Sequence, residues 1–218
     1  MRLFFLRHGQ STSNARWDAS GIRLVYESDP ELTELGRSQV ATAARALSKL
    51  AKSPPPLYTS LLRRAAQSAL IVSRELNTPP RARVELHEVG GLFSDDPRAG
   101  TRTIHSGQGR SALLQLYPGL ILPEDLAEDG WWRDPFEEGP ARAARANRAW
   151  KWLMAEHLNS DDDVVVIAHL GFFNEMMRVA LGCALVGGAI PEFSLENGGV
   201  TLLECAQHIK VVFHNRMF

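Results

Sequence analysis

The run Leu3-Phe4-Phe5-Leu6 is apolar without interruption and breaks abruptly at Arg7-His8-Gly9, after which the chain turns polar through Gln10-Ser11-Thr12-Ser13-Asn14. An unalternating run of this kind reads as a strand buried on both faces, the habit of a parallel sheet covered by helices. Far downstream the same pattern recurs: Val164-Val165-Val166-Ile167-Ala168 ends on His169-Leu170-Gly171. Open α/β sheets bind ligands beyond the carboxyl ends of their strands, so two histidines at two such ends can share one pocket.

Between these junctions the pattern alternates. After a loop through Glu27-Ser28-Asp29-Pro30, Thr33 reads as an N-cap. Leu35, Val40, Ala43, Ala44, Leu47 and Leu50 then recur at helical spacing until Pro54-Pro55-Pro56. Leu57-Tyr58-Thr59 reads as a short strand, and Ser60 as the opening of a second helix that runs to Pro79-Pro80. A further strand is expected near Arg83 to Leu86, arriving at Glu88 and the glycine loop Val89-Gly90-Gly91. From Ser94 to Pro140 regularity is lost except for a helical pattern around Ser111 to Tyr117, and such a stretch in a compact domain reads as a functional insertion. A long helix from Ala141 to Leu158, the valine strand, a helix from Phe172 to Leu181 and two strands, Val200 to Cys205 and Ile209 to Phe213, complete the chain. Helices alternating with strands imply an α/β fold with a mostly parallel central sheet and an antiparallel finish.

Composition narrows the function classes. The 218 residues suffice for one ample domain, and a hydrophobic fraction of 44% is ordinary for a globular core. A formal net charge of -1 leaves no basic footprint for nucleic acid, so an anionic ligand has to be met by local arginines. Cys183 and Cys205 are too few for a disulfide framework and sit among apolar residues that suit buried thiols in a reducing compartment. No leader pattern and no long apolar span is present, so the expectation is a cytoplasmic protein without membrane contact.

The chemistry concentrates at the first junction. Arg7 is a permanent planar cation, His8 an imidazole able to act as nucleophile or acid/base, and Gly9 lets backbone approach a ligand. A histidine so placed is expected to be presented rather than packed. Ser11, Thr12, Ser13 and Asn14 add donors for anion oxygens. Of the adjacent pair Arg63 and Arg64, one can face the strand ends while the other is solvated. The tripeptide alone also fits a surface turn, and Glu88 alone also fits a carboxylate paired with an arginine. A zinc site at His8 and His169 is disfavoured, because no third histidine or cysteine arrives at metal spacing and Arg7 would repel the cation. The remaining histidines, among them His87, read as surface or structural.

Several separated pieces resemble the histidine phosphatase superfamily, in its phosphoglycerate mutase-like branch. Leu6-Arg7-His8-Gly9 with Thr12 and Asn14 is similar to its signature, and Leu32-Thr33-Glu34-Leu35-Gly36 to its Leu-Thr-x-x-Gly element. Ser60 to Ala69 resembles its arginine-bearing helix start, which selects Arg64. Leu86-His87-Glu88 resembles the acid-bearing strand end, and Ala168-His169 the second histidine. The pieces occur in the family's order and span nearly the whole chain. One departure is that the family has glycine after the second histidine, where this chain has Leu170.

The resemblance implies a three-layer α/β/α sandwich, a single domain over 1–218 with a substrate-cap insertion at 94–140. It implies a metal-independent phosphomonoesterase without cofactor, acting on a small phosphorylated metabolite through a phosphohistidine on His8. Arg7, Arg64 and His169 would hold the phosphoryl oxygens, Asn14 and the Leu170 amide would add hydrogen bonds, and Glu88 would protonate the leaving oxygen. The alternatives are a phosphoglycerate mutase using the same residues and a non-catalytic phospholigand-binding protein. Within the insertion Arg98, Arg102, Arg110 and the Trp131-Trp132 pair are candidates for a substrate mouth, or the tryptophans fill a satellite core.

Overall fold

Strand β1 (Arg2–Arg7) sends its four buried apolar residues alternately to two cores, Leu3 and Phe5 to one and Phe4 and Leu6 to the other. This is the two-residue period of an extended chain buried on both sides. The computed structural model describes residues 1–20, 27–96, 99–158, 160–183 and 191–218. After β1 come α1 (Thr12–Ser20), α2 (Glu34–Leu50), β2 (Leu57–Thr59), α3 (Arg63–Leu76) and β3 (Pro80–Ala82). A 3-10 turn (Val84–Leu86) leads to the hairpin of β4 (Phe93–Asp96) and β5 (Thr101–Ile104). Then follow α4 (Arg110–Leu116), α5 (Gly139–His157), β6 (Asp163–Ala168), α6 (Leu170–Leu181), β7 (Val200–Cys205) and β8 (Ile209–Arg216).

The main sheet has the order β3-β2-β6-β1-β7-β8. Its first four strands run parallel and β7 and β8 are antiparallel additions. On one face, Leu3, Phe5, Val164 and Val166 pack with Ala146, Trp150 and Leu153 of α5 and Phe172 and Phe173 of α6. On the other, Phe4, Leu6, Val165 and Ile167 pack with Val40, Ala43 and Leu47 of α2 and Ala69, Val72 and Leu76 of α3. The expected helix-sheet-helix layering is therefore observed.

Local expectations fare unevenly. Thr33 caps α2 by accepting from Gly36 N at 3.0 Å, but Leu35 on the first turn is 55% exposed rather than core. Ser60 does not cap α3: its hydroxyl takes Leu62 N, while the amide of Arg63 at the helix start is taken by the Asp29 carboxylate at 2.8 Å. The strand expected near Arg83 to Leu86 is displaced. Its pairing ends once Arg83 N reaches Thr59 O, and the apolar Val84 and Leu86 belong to the turn that follows. Cys205 is buried and its thiol is pushed up to about 11 by desolvation, whereas Cys183 is only half-buried.

The segment 94–140 carries more structure than its sequence suggests, because β4 and β5 form an exposed hairpin without apolar alternation. Trp131 and Trp132 are buried with Leu92, Leu113, Tyr117 and Leu126 against Leu61, Leu62 and Ala66. They fill a satellite core seated on the start of α3. Arg102 is bonded through two nitrogens to Asp95 and lies 3.7 Å over the Phe136 ring, and Arg110 donates to Pro123 O. Both take part in the segment's own structure, and Arg98 lies outside the described residues. Ser111 bonds Glu128 through its amide and hydroxyl.

Candidate active site

The pairing register explains why two histidines 161 positions apart meet. Arg7 of β1 lies opposite Ala168 of β6, so His8 and His169 step off neighbouring parallel strands at the same level, and His8 N donates to Ala168 O at 3.1 Å. Their ring centroids are 5.1 Å apart. Contrary to expectation His8 is packed, at 3% exposure, and His169 is fully buried.

His8 Nδ1 is 2.7 Å from Gly9 O. A carbonyl only accepts, so Nδ1 carries the proton and Nε2 holds a lone pair. Arg64 Nε donates to that lone pair at 3.1 Å. Burial, then the charges of Arg64 and Arg7, hold His8 well below the usual imidazole range, and burial with Arg64 does the same to His169. Both rings are thus neutral at physiological pH. Neither ring nitrogen of His169, nor Nη1 of Arg64, has a hydrogen-bond partner among the described residues. Buried polar atoms are rarely left so.

Of the other expected residues, Arg7 donates Nη1 to Leu195 O at 2.5 Å while its charge acts on His8. Asn14 accepts at Oδ1 from Ser11 N, Ser11 Oγ and Asn197 Nδ2, which orients its amide. Arg63 is turned out to Glu31 while Arg64 is buried, resolving the adjacent pair. Leu170 heads α6 and packs its side chain against the α5/α6 core.

Glu88 follows the 3-10 turn rather than a strand. Its Oε1 accepts from Val89 N at 2.8 Å and Phe172 N at 2.9 Å, and its Oε2 from Gly171 N at 3.2 Å. The carboxyl group therefore sits on the amino end of α6, the helix whose cap residue is His169, held by three backbone donors. No arginine pairs with it among the described residues. A Cβ on Gly171 would lie 2.6 Å from Glu88 Oε1, so this glycine permits the approach.

The loop itself is built from contacts that sequence reasoning missed. A Cβ on Gly9 would fall 2.1 Å from Gly36 O, and one on Gly36 would fall 2.1 Å from Gln10 O. The Leu-Thr-x-x-Gly element is thus the surface on which the histidine loop rests, a role visible in the sequence only as an unexplained glycine. Gly9 N donates to Ser68 Oγ, Gln10 N to Gln39 Oε1 and Asn197 Nδ2 to His8 O. These are single polar residues on otherwise ordinary elements, with no local pattern to mark them.

The family model of the histidine phosphatase superfamily (branch 1) matches residues 3–95. A glucosyl-3-phosphoglycerate phosphatase of Mycolicibacterium vanbaalenii is 36% identical over 195 residues, covering 83% of this chain and 74% of that protein. The chain belongs to the histidine phosphatase superfamily.

Within the superfamily, a 2,3-bisphosphoglycerate-dependent phosphoglycerate mutase of Bartonella bacilliformis is 30% identical over 113 residues, covering 47% of this chain and 52% of the mutase. Among solved structures, a mycobacterial glucosyl-3-phosphoglycerate phosphatase superposes with a TM-score of 0.63 at 23% identity over 98% of both chains. A phosphoserine phosphatase of Entamoeba histolytica gives 0.63 at 16% identity, over 98% of this chain and 96% of that one. Identities this low speak to the histidine phosphatase fold alone. Among the described residues no group of three or more His, Cys, Asp or Glu side chains is gathered as a metal site, and no helix is long and apolar enough to cross a membrane.

Proposed function

We propose that this protein hydrolyses a small phosphorylated metabolite through a phosphohistidine on His8, without a metal. Phosphomonoesterase activity follows from the superfamily and the phosphatase relatives; the assignment of roles to residues is ours. The observation that carries it is the contact between Arg64 Nε and the lone pair of His8 Nε2. A neutral imidazole whose free nitrogen faces a guanidinium is a nucleophile waiting beside its own counter-charge.

When a phosphate monoester is seated, its oxygens draw the guanidinium forks of Arg64 and Arg7 and the ring of His169. Nε2 is then released for in-line attack on phosphorus. Asn14 and the Leu170 amide add hydrogen bonds. The P–O bond to the leaving group breaks as the P–N bond to His8 forms, and Glu88 gives its proton to the departing oxygen. Water then attacks the phosphohistidine, losing its proton to Glu88, and inorganic phosphate departs. The segment 94–140 would select the substrate. The similarity to a glucosyl-3-phosphoglycerate phosphatase places phosphorylated glycerate derivatives first in a screen.

The test is labelling by a phosphorylated substrate followed by acid treatment. Wild type should carry an acid-labile phosphoryl group and His8→Ala none, and EDTA should leave turnover unchanged. Label persisting in His8→Ala would move the nucleophile elsewhere, and activity lost to EDTA and restored by a divalent cation would end the metal-free mechanism. The mutase similarity supports a second reading, phosphoryl return to another substrate position. Isomerisation outrunning phosphate release would establish it.

A further inference from the structure

Glu137 and Arg145 form an ion pair almost wholly withdrawn from water, at 8% and 3% exposure. Arg145 Nε meets Glu137 Oε1 at 2.7 Å and Nη2 meets Oε2 at 2.6 Å, two parallel bonds between planar groups. Burying such a pair is costly, and apolar side chains of like volume often serve a fold as well. What else the pair holds is therefore informative.

It holds the turn that carries Glu88. Arg145 Nη1 donates to the carbonyls of Glu85 at 2.7 Å and His87 at 2.9 Å, the second being the peptide that leads into Glu88. On the other side Glu137 N donates to Gly90 O at 3.2 Å. The guanidinium also lies 5.0 Å from the ring centroid of Phe172, whose amide is one of those gripping the Glu88 carboxylate. His87 closes the cluster, its Nε2 lying 3.8 Å from Glu137 Oε2 and its ring 4.6 Å from Trp132. Trp132 belongs to the satellite core of the 94–140 segment, so the pair joins that segment, α5 and the Glu88 turn.

We infer that Arg145 and Glu137 are positioning residues that fix the Glu88 carboxyl at the height of the leaving oxygen. This rests on the reading of Glu88 as the acid. Without the fork, the amides of Val89, Gly171 and Phe172 still hold the carboxylate, but the peptide before it is free to shift. A misplacement of about 1 Å is enough to cost on the order of a hundredfold in rate.

The test compares single-turnover phosphoenzyme formation on an alkyl phosphate, glycerol 3-phosphate, and an activated aryl phosphate, p-nitrophenyl phosphate. Arg145→Lys keeps the charge but not the fork, and Glu137→Gln keeps the shape but not the charge. Each should slow the alkyl ester roughly tenfold or more and the aryl ester far less, with little change in substrate binding. In a Glu88→Gln background Arg145→Lys should add no further loss. Equal losses on both esters, or losses that multiply with Glu88→Gln, would overturn the inference, as would failure of both single variants to fold, which would assign the pair to the fold alone. If Glu88→Gln itself fails to distinguish the esters, the reading of Glu88 as the acid fails instead.

Discussion

At the scale of single residues, the sharpest expectation concerns Glu88. Glu88→Gln leaves an amide that fits the same space but has no proton to give. Turnover of alkyl phosphates should fall by roughly a hundredfold or more, the usual scale of general acid catalysis, and fall much less for aryl phosphates whose leaving group needs little protonation. Equal losses on the two, measured as rates of phosphoenzyme formation, would remove Glu88 from that role. His8 and His169 are legible in the sequence because each follows an apolar strand, whereas helix position leaves Arg63 and Arg64 open and only the family resemblance selects Arg64. Glu137 and Arg145 are not, because eight positions apart within a polar stretch they look like any solvated pair; only the fold reveals that both are dry. The burial of His8 is likewise illegible, since a loop position says nothing of what the next loop lays over it.

At the scale of elements, the stretch from Asp29 to Thr33 is a strap between the histidine loop and α3. Glu31 O accepts from Thr12 N, Thr33 N donates to Gln10 O, Leu32 N to Gln67 Oε1, and Asp29 accepts from Arg63 N. Burial raises the Asp29 carboxyl to about 6, against the opposing pull of Arg64. Its folded value exceeds its unfolded value of 3.8, so the ionised group costs stability above pH 6, and the cost fades as pH falls toward 4. Asp29→Asn keeps the acceptor for Arg63. It should raise the free energy of unfolding at pH 8 by on the order of 1 kcal/mol, read from denaturant titration, and lose that advantage near pH 4. Equal destabilisation at both pH values would refute this account. The strap's Thr33 stands out in sequence as a cap, whereas the displacement of β3 does not. A three-residue strand is decided by the register of its neighbour, and the apolar spacing of Val84 and Leu86 fits a turn equally well.

At the scale of the whole molecule, four buried imidazoles set the response to acid. His8, His169, His87 and His157 are all held below their ordinary value of 6.5, His87 to about 3, with desolvation the first cause in each. Kept neutral when folded, they bind protons first in the unfolded chain. Their contribution is complete above pH 6.5 and declines below it by about 1.4 kcal/mol per pH unit for each histidine, until its folded value is reached. Denaturant midpoints between pH 7.5 and 5 should fall steeply, and less steeply in His87→Gln; a flat profile would contradict the burial argument. The placement of β1 has a different consequence. Its partners lie at Asp163–Ala168 and Val200–Glu204, so this inner strand waits for segments far downstream before it is paired. Pairings that distant are slow to close and leave apolar surface open meanwhile. Leu3 to Leu6 is therefore the stretch a nascent chain most needs shielded, and the His8 loop behind it takes shape only after β6 and β7 have emerged.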